Sequence, residues 1–221
     1  MKKLLLAASI LLTGSVSAQT VTVIHGIDGR DLGQAQALPV DISINGSCTL
    51  QGVSYKGISS PLNVPAGVYN VEVRVSNGSC TGALAATGRF DLGLTENASV
   101  IAHLNEQGAP KITKFTNDLR DARSGRASIR HAAAAPDVFV VLQSRAIRVP
   151  TEAFQNGEQT DIDAPAANYR ATIFAPNGIS STRVAAPTVT VRDSELLAVY
   201  AVGSVKGRTF SVITQRITLS N

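Results

Sequence analysis

Alternation of apolar and polar positions with a period of two runs through most of the chain. It is cleanest in YNVEVRVSNG at 69–78, where Val71, Val73 and Val75 fall on one face and Glu72, Arg74 and Ser76 on the other. A strand with one buried face reads this way. VTVIHGI at 21–27, VDISINGS at 40–47, GRFDLG at 88–93, SVIAHLN at 99–105 and KITKFTND at 111–118 continue the series, each bounded by Gly, Pro, Asn or Asp. After a charged, glycine-containing stretch, LRDARSGR at 119–126, the pattern resumes in ASIRHA at 127–132 and DVFVVLQ at 137–143. NYRATIFAPNG at 168–178, PTVTVRD at 187–193, ELLAVYAVGS at 195–204 and FSVITQRITL at 210–219 complete it. Short strands at this spacing predict an all-β chain of sandwich or barrel type.

The two halves carry their signals in nearly the same order. VTVIHG echoes ASIRHA, setting His25 against His131, and PVDISI echoes PDVFVV, setting Pro39 against Pro136 and Asp41 near Asp137. VPAGVYNVEV echoes APAANYRATI, setting Pro65 on Pro165 and Tyr69 on Tyr169, while SVIAHL echoes LLAVYAV. Self-similarity of this kind predicts two tandem copies of one domain. The expected division is 1–18, 19–118 for the first domain, 119–125 for a linker and 126–221 for the second.

The chain contains two cysteines, and each sits in the same five residues, NGSCT, at 45–49 and 77–81. Asn-Gly supplies the two left-handed backbone positions of a tight hairpin turn. Two such turns at similar levels of one sheet edge bring Cys48 and Cys80 together, and an exported chain most often joins such a pair as a structural disulfide, free or intermolecular thiols being the alternative. A redox role favours C-x-x-C spacing and a zinc site needs four ligands, which two cysteines do not supply.

Export is read from the first residues. MKKLLLAASILLTGSVSAQT opens with Lys2 and Lys3, continues with an apolar run at 4–12 and ends in small residues before a cut after Ala18. The run is too short for the roughly 20 residues of a membrane span, so it reads as a cleaved secretory signal peptide. No later segment is long and apolar enough to span, so no transmembrane anchor is expected. Removing the signal lowers the formal charge from +4 to +2. Such a balance gives no reason to expect nucleic acid. The cluster Arg120, Arg123, Arg126 and Arg130 reads as a solvated linker, the alternative being contact with an anionic envelope polymer.

Few residues offer chemistry. His25 and His131 occupy equivalent places, which favours an architectural role: a ring nitrogen bonded to a loop backbone, or to Asp41 or Asp137. Tyr69 and Tyr169 each follow a Pro-Ala turn and are expected to bond their hydroxyls back to the backbone, anchoring a corner. No serine sits in a nucleophile setting, no glycine loop cradles phosphate, and Asp161 and Asp163 lie two apart in an extended segment. Catalytic residues, cofactor sites and metal sites are expected to be absent. With 5% aromatic residues and no tryptophan, a carbohydrate-stacking platform is not indicated.

VTVIHG, PVDISING and VPAGVYNVEV, with their echoes ASIRHAAAAPDVFVV and APAANYRATI, resemble the domain of unknown function 4397 family. His25, Val40, Asp41, Asn45, Gly46, Pro65, Ala66, Gly67 and Tyr69 carry the likeness in the first copy. His131, Pro136, Asp137, Pro165, Ala166 and Tyr169 carry it in the second. The resemblance implies tandem immunoglobulin-like or related antiparallel β-sandwich modules on exported bacterial proteins, with no catalytic residues to carry over. The first copy departs by a long loop, GIDGRDLGQAQAL at 26–38, and in the second Ala167 and Asn168 stand in place of the turn's Gly-x.

These features predict a non-enzymatic exported cell-envelope module with a structural or protein–protein interaction role. Its expected location is the periplasm, the envelope or the extracellular space. Its expected partners are other envelope proteins or cell-wall polymers, with the chain serving as a subunit of a larger surface assembly. The alternative is a soluble extracytoplasmic protein binding a small ligand, glycan or metal between the domains or under the 26–38 loop.

Overall fold

A computed structural model describes residues 19–119, 125–177 and 180–218. Residues 1–18, to which the expected signal peptide was assigned, and residues 120–124 of the expected linker, with Arg120 and Arg123, lie outside the described residues.

The first unit runs from β1 (Gln19–His25) through β2 (Val40–Ile44), β3 (Ser47–Val53), β4 (Leu62–Val64), β5 (Gly67–Val75), β6 (Leu84–Leu92), β7 (Asn97–Leu104) and β8 (Pro110–Thr116). Its strands form two sheets, ordered β4-β1-β7-β8 and β3-β2-β5-β6. Val21, Val23, Val40, Ile42, Val71, Val73 and Val100 fill the space between them. The valines read from the alternation at 69–78 are these core residues, except Val75, which is exposed.

The second unit repeats the plan with β9 (Arg126–Ala134), β10 (Phe139–Gln143), β11 (Arg148–Pro150), β12 (Gln159–Asp163), β13 (Ala167–Asn177), β14 (Ser180–Ala185), β15 (Thr188–Val191), β16 (Glu195–Ser204) and β17 (Ser211–Thr218). Its sheets are ordered β12-β9-β16-β17 and β11-β10-β13-β14, with β15 also paired to β13. In both units the first strand runs parallel to the penultimate one, β1 beside β7 and β9 beside β16. The architecture is therefore all-β, with two similar sandwich-like units. The order is not the ABED-over-CFG arrangement of an immunoglobulin constant domain: the first strand lies inside its sheet, not at an edge.

Register corrects one expected equivalence. Ile42 faces Val73 and Asp41 faces Arg74, while Val140 faces Ile173 and Phe139 faces Phe174. The station of Asp41 is thus occupied in the second unit by Phe139, and Asp137 lies two residues earlier on an exposed turn.

The two units are stacked face to face. Along β7, Ala98, Val100, Ala102 and Leu104 point into the first unit's core. The intervening Ile101 joins Ile24, Phe115, Ala132, Ala198, Tyr200, Val202 and Ile213 in a third core cluster between the units. Along β16, Leu197, Val199 and Ala201 belong to the second unit's core and Ala198, Tyr200 and Val202 to the seam. β1, β7, β9 and β16 are accordingly covered on both faces, and the molecule has four sheet layers with three apolar interiors. Full burial of each seam isoleucine, valine or phenylalanine is worth about 1.5–3 kcal/mol, so the seam is a substantial part of the fold.

Candidate functional site: the disulfide edge and the buried seam

Cys48 and Cys80 are joined, with their Cα atoms 5.7 Å apart. The two NGSCT segments fold differently. Asn45 and Gly46 both have positive φ and make a two-residue hairpin turn between β2 and β3. The second copy opens a longer loop between Val75 and Leu84, wrapped around one carboxylate. Asp41, fully buried, accepts from Ser76 Oγ at 2.6 Å and from the backbone N–H groups of Gly52 (2.9 Å), Asn77 (3.1 Å), Gly78 (3.0 Å) and Cys80 (3.2 Å). Burial alone would raise its pKa, but the Ser76 hydroxyl and these amides outweigh it and hold the carboxyl well below the usual range. Asp41 therefore shapes the loop that presents Cys80, whose φ of 55° is unusual for a side-chain-bearing residue. In the second unit a stacked ring pair, Phe139 on Phe174 at 4.9 Å, takes the place of this polar staple.

The histidines are spent on backbone. His25 Nε2 lies 2.8 Å from the carbonyl of Leu38 and His131 Nε2 lies 2.9 Å from that of Pro136. Neither hydrogen-bonds to Asp41 or Asp137. Burial pushes both imidazoles below their ordinary pKa, so each ring is neutral and donates to its loop. The tyrosines behave alike: Tyr69 donates to Pro65 O at 2.6 Å and Tyr169 to Pro165 O at 2.8 Å.

The seam holds a polar constellation that the sequence reading did not identify. Arg130 is fully buried, which corrects its assignment to a solvated linker. Its guanidinium donates to Tyr200 OH at 2.5 Å, Asn117 Oδ1 at 2.7 Å, Thr116 O at 3.2 Å and Ser128 Oγ at 3.2 Å. It also lies over the rings of Phe115 and Tyr200, 5.3 and 5.1 Å from their centroids. Tyr200 OH donates onward to Gln215 Oε1 at 2.7 Å. Ser99 Oγ reaches Gln215 Oε1 at 2.9 Å and Asn117 Oδ1 at 3.1 Å, donating to one at a time. A cation from the second unit is thus held by amide, hydroxyl and carbonyl groups of both units. The available signal was the unbroken apolar character of SVIAHL and ELLAVYAV, because strands covered on both faces lose their alternation.

Loop 26–38 is a clasp. A 3-10 turn (Gly29–Leu32) is capped by Asp28, which is buried and paired with Arg30 at 2.7 Å. Asp31 accepts from Thr209 Oγ1 of the second unit at 2.6 Å, and Lys56 Nζ reaches Ser211 Oγ, also at 2.6 Å. Contacts between the units thus run through both expected ligand places, the loop and the boundary between the units. What remains beside the loop is an open cleft of about 260 Å³ around Arg30, Asp31 and Lys206. A larger open cleft of about 630 Å³ lies at the seam edge. Its carboxylates are paired: Glu96 with Lys114 at 2.6 Å, and Asp118 and Asp161 with Arg126 at 3.2 and 3.9 Å. Among the described residues no group of three or more His, Cys, Asp and Glu is placed to hold a metal ion.

The sequence profile of the domain of unknown function DUF4397 matches residues 14–141, more than half of the 221-residue chain. The chain belongs to the DUF4397 family. The matched DUF4397 region takes in the whole first unit and continues into β10 of the second. No curated protein matches the chain. Two solved structures align over 94% of it and 99% of their own chains. They are candidate cell adhesion proteins, one from Bacteroides ovatus at 7% identity and TM-score 0.27, the other from Bacteroides uniformis at 12% and 0.31. Likeness at those scores carries no conclusion about this DUF4397 protein.

Proposed function

We propose that this protein is a non-enzymatic, exported cell-envelope module with a structural or protein–protein interaction role. In this reading residues 1–18 are a cleaved signal peptide, and 19–118 and 126–221 are two tandem copies of the family's domain joined by 119–125. The observation that carries it is the use of the polar side chains: His25, His131, Asp41, Arg130, Tyr69, Tyr169 and Tyr200 all bond to the protein itself. Groups consumed in this way hold two units as one stiff body and, among the described residues, leave no convergent constellation for chemistry. A stiff body with exposed sheet edges suits assembly by packing or strand addition to other envelope proteins or cell-wall polymers. Among the described residues no helix is long and apolar enough to cross a membrane.

The test is fractionation of the native host with intact-mass measurement of the protein in each fraction. The expected result is a chain starting at Gln19 in the envelope or outside the cell. An unprocessed chain confined to the cytoplasm overturns the proposal.

A further inference from the structure

The outward face of the second unit's β11-β10-β13-β14/β15 sheet differs in charge from that of the first unit's outer sheet. Val140, Leu142, Ala171, Ile173, Val189 and Val191 point into the core, so the alternate residues face away from it. Cross-strand register places Arg148 opposite Gln143, Gln143 opposite Arg170, and Arg170 opposite Thr188, in one row across four strands. A second row runs Phe139, Phe174, Arg183. Adjacent strands lie about 4.8 Å apart and residues rise about 3.3 Å. Arg148 and Arg170 are therefore separated by roughly 10 Å and the two rows by roughly 13 Å.

Arg148, Arg170 and Arg183 are all exposed. None makes an ion pair among the described residues. The five strands of this sheet contain those three arginines and no Asp or Glu; the exposed Glu152 lies beyond the end of β11. By contrast, the outer sheet of the first unit carries both signs, with Glu72 paired to Arg74 and Arg89 and Asp91 on β6. Uncompensated charge on one broad sheet face costs self-repulsion and is relieved by an anionic partner.

We propose that this face binds an acidic polysaccharide, the row Arg148–Gln143–Arg170–Thr188 engaging carboxylates and hydroxyls in alternation. The proposal rests on the envelope reading and names the polymer that the module would meet there. Guanidinium groups match carboxylates bidentately, and the amide and hydroxyl between and beside them match uncharged sugar hydroxyls. A flat sheet face accepts an extended chain without a pocket. Three cations are few for a duplex nucleic acid, whose binding draws on many phosphate contacts. The Phe139 and Phe174 rings are half-buried against each other, with an interplanar angle of 11°, and offer no open platform for bases. A second copy presenting its mixed-charge outer sheet offers no complementary field.

Affinity electrophoresis of the purified oxidised chain through gels containing alginate tests this, with dextran, polyphosphate and duplex DNA in parallel gels and anionic phosphatidylglycerol vesicles in a sedimentation assay. Salt-sensitive retardation by alginate and none by dextran is expected. Arg148→Gln, Arg170→Gln and Arg183→Gln together should weaken it at least tenfold. The equal-charge control Arg89→Gln, Lys206→Gln, Arg208→Gln should change it less than threefold, with both variants checked for an unchanged thermal midpoint. No alginate binding, equal loss in both variants, or binding to polyphosphate, DNA or vesicles as tight as to alginate overturns the proposal. Because the measurement uses purified protein, its failure leaves the fractionation result, and the envelope reading, to stand or fall separately.

Discussion

Arg130 gives the sharpest test of the seam. Removing a buried cation from water costs several kcal/mol, which its hydrogen bonds must repay. Its partners, however, are mostly not dependent on it. Without the guanidinium, Tyr200 OH still donates to Gln215, Asn117 Oδ1 still faces Ser99 Oγ, and Thr116 O still accepts from Gln159 Nε2 at 3.1 Å. Arg130→Met keeps the apolar stem against Phe115 and Tyr200 and should cost only about 1–2 kcal/mol. Arg130→Ala also opens a cavity between the units, and its cost should rise to about 4 kcal/mol. Arg130→Lys keeps a buried charge but loses the fork, and should fall nearer Ala than Met. Urea unfolding of the oxidised mature chain at neutral pH, read as midpoint shifts at constant slope, gives the three values. Met costing as much as Ala would falsify the reasoning, because it would mean that the cation itself, not the filled seam, holds the units together.

Other outcomes follow from single interactions. Cys48→Ser with Cys80→Ser should lower stability by about 3–4 kcal/mol, from the loop-closure entropy of a 32-residue separation; equal urea midpoints for reduced and oxidised wild type would contradict this. His103 is held down to about 4 from 6.5, chiefly by burial, which outweighs its bond to the Leu104 carbonyl, with the positive charge of Lys111 adding to the effect. Its neutral folded form is disfavoured once the unfolded chain takes a proton, so its contribution is intact above pH 6.5 and lost between 6.5 and about 4, in total about 3 kcal/mol. His103→Val, which copies Val202 at the equivalent station of β16, should flatten that part of the stability–pH curve; an unchanged slope places the acid sensitivity elsewhere. Tyr169→Phe removes one buried hydrogen bond to Pro165 and should cost about 1 kcal/mol by the same urea assay, whereas no loss would show that the hydroxyl does not anchor the corner.

Much of the fold was written in local pattern. β5 was legible because one of its faces is apolar and the other polar, and the equivalence of His25 and His131 was legible because both keep the same bond to a following loop. The cysteine pairing could be read from the expected export and the repeated NGSCT, although the second NGSCT makes a long loop around Asp41, not a tight turn. The alignment of Asp41 with Asp137 failed because a short motif does not fix strand register, and only the ladder sets Phe139 at that station. The seam was hidden for a different reason. Residues such as Ser99, Ile101 and Tyr200 sit on the second face of strands whose first face already fills a core. A continuous apolar run says that both faces are covered without saying by what. Arg130 reads as a surface residue until its neighbours across the seam are known.

In the proposed function, a stiff two-unit body works as a part of a larger envelope assembly. Its most direct test is native-size measurement of the protein from gently fractionated host envelopes, with crosslinking and mass spectrometry of what co-migrates. Migration in a large complex, with other envelope proteins or cell-wall polymer as crosslinked neighbours, is expected. A free monomer in every fraction, with no crosslinked neighbour, contradicts it.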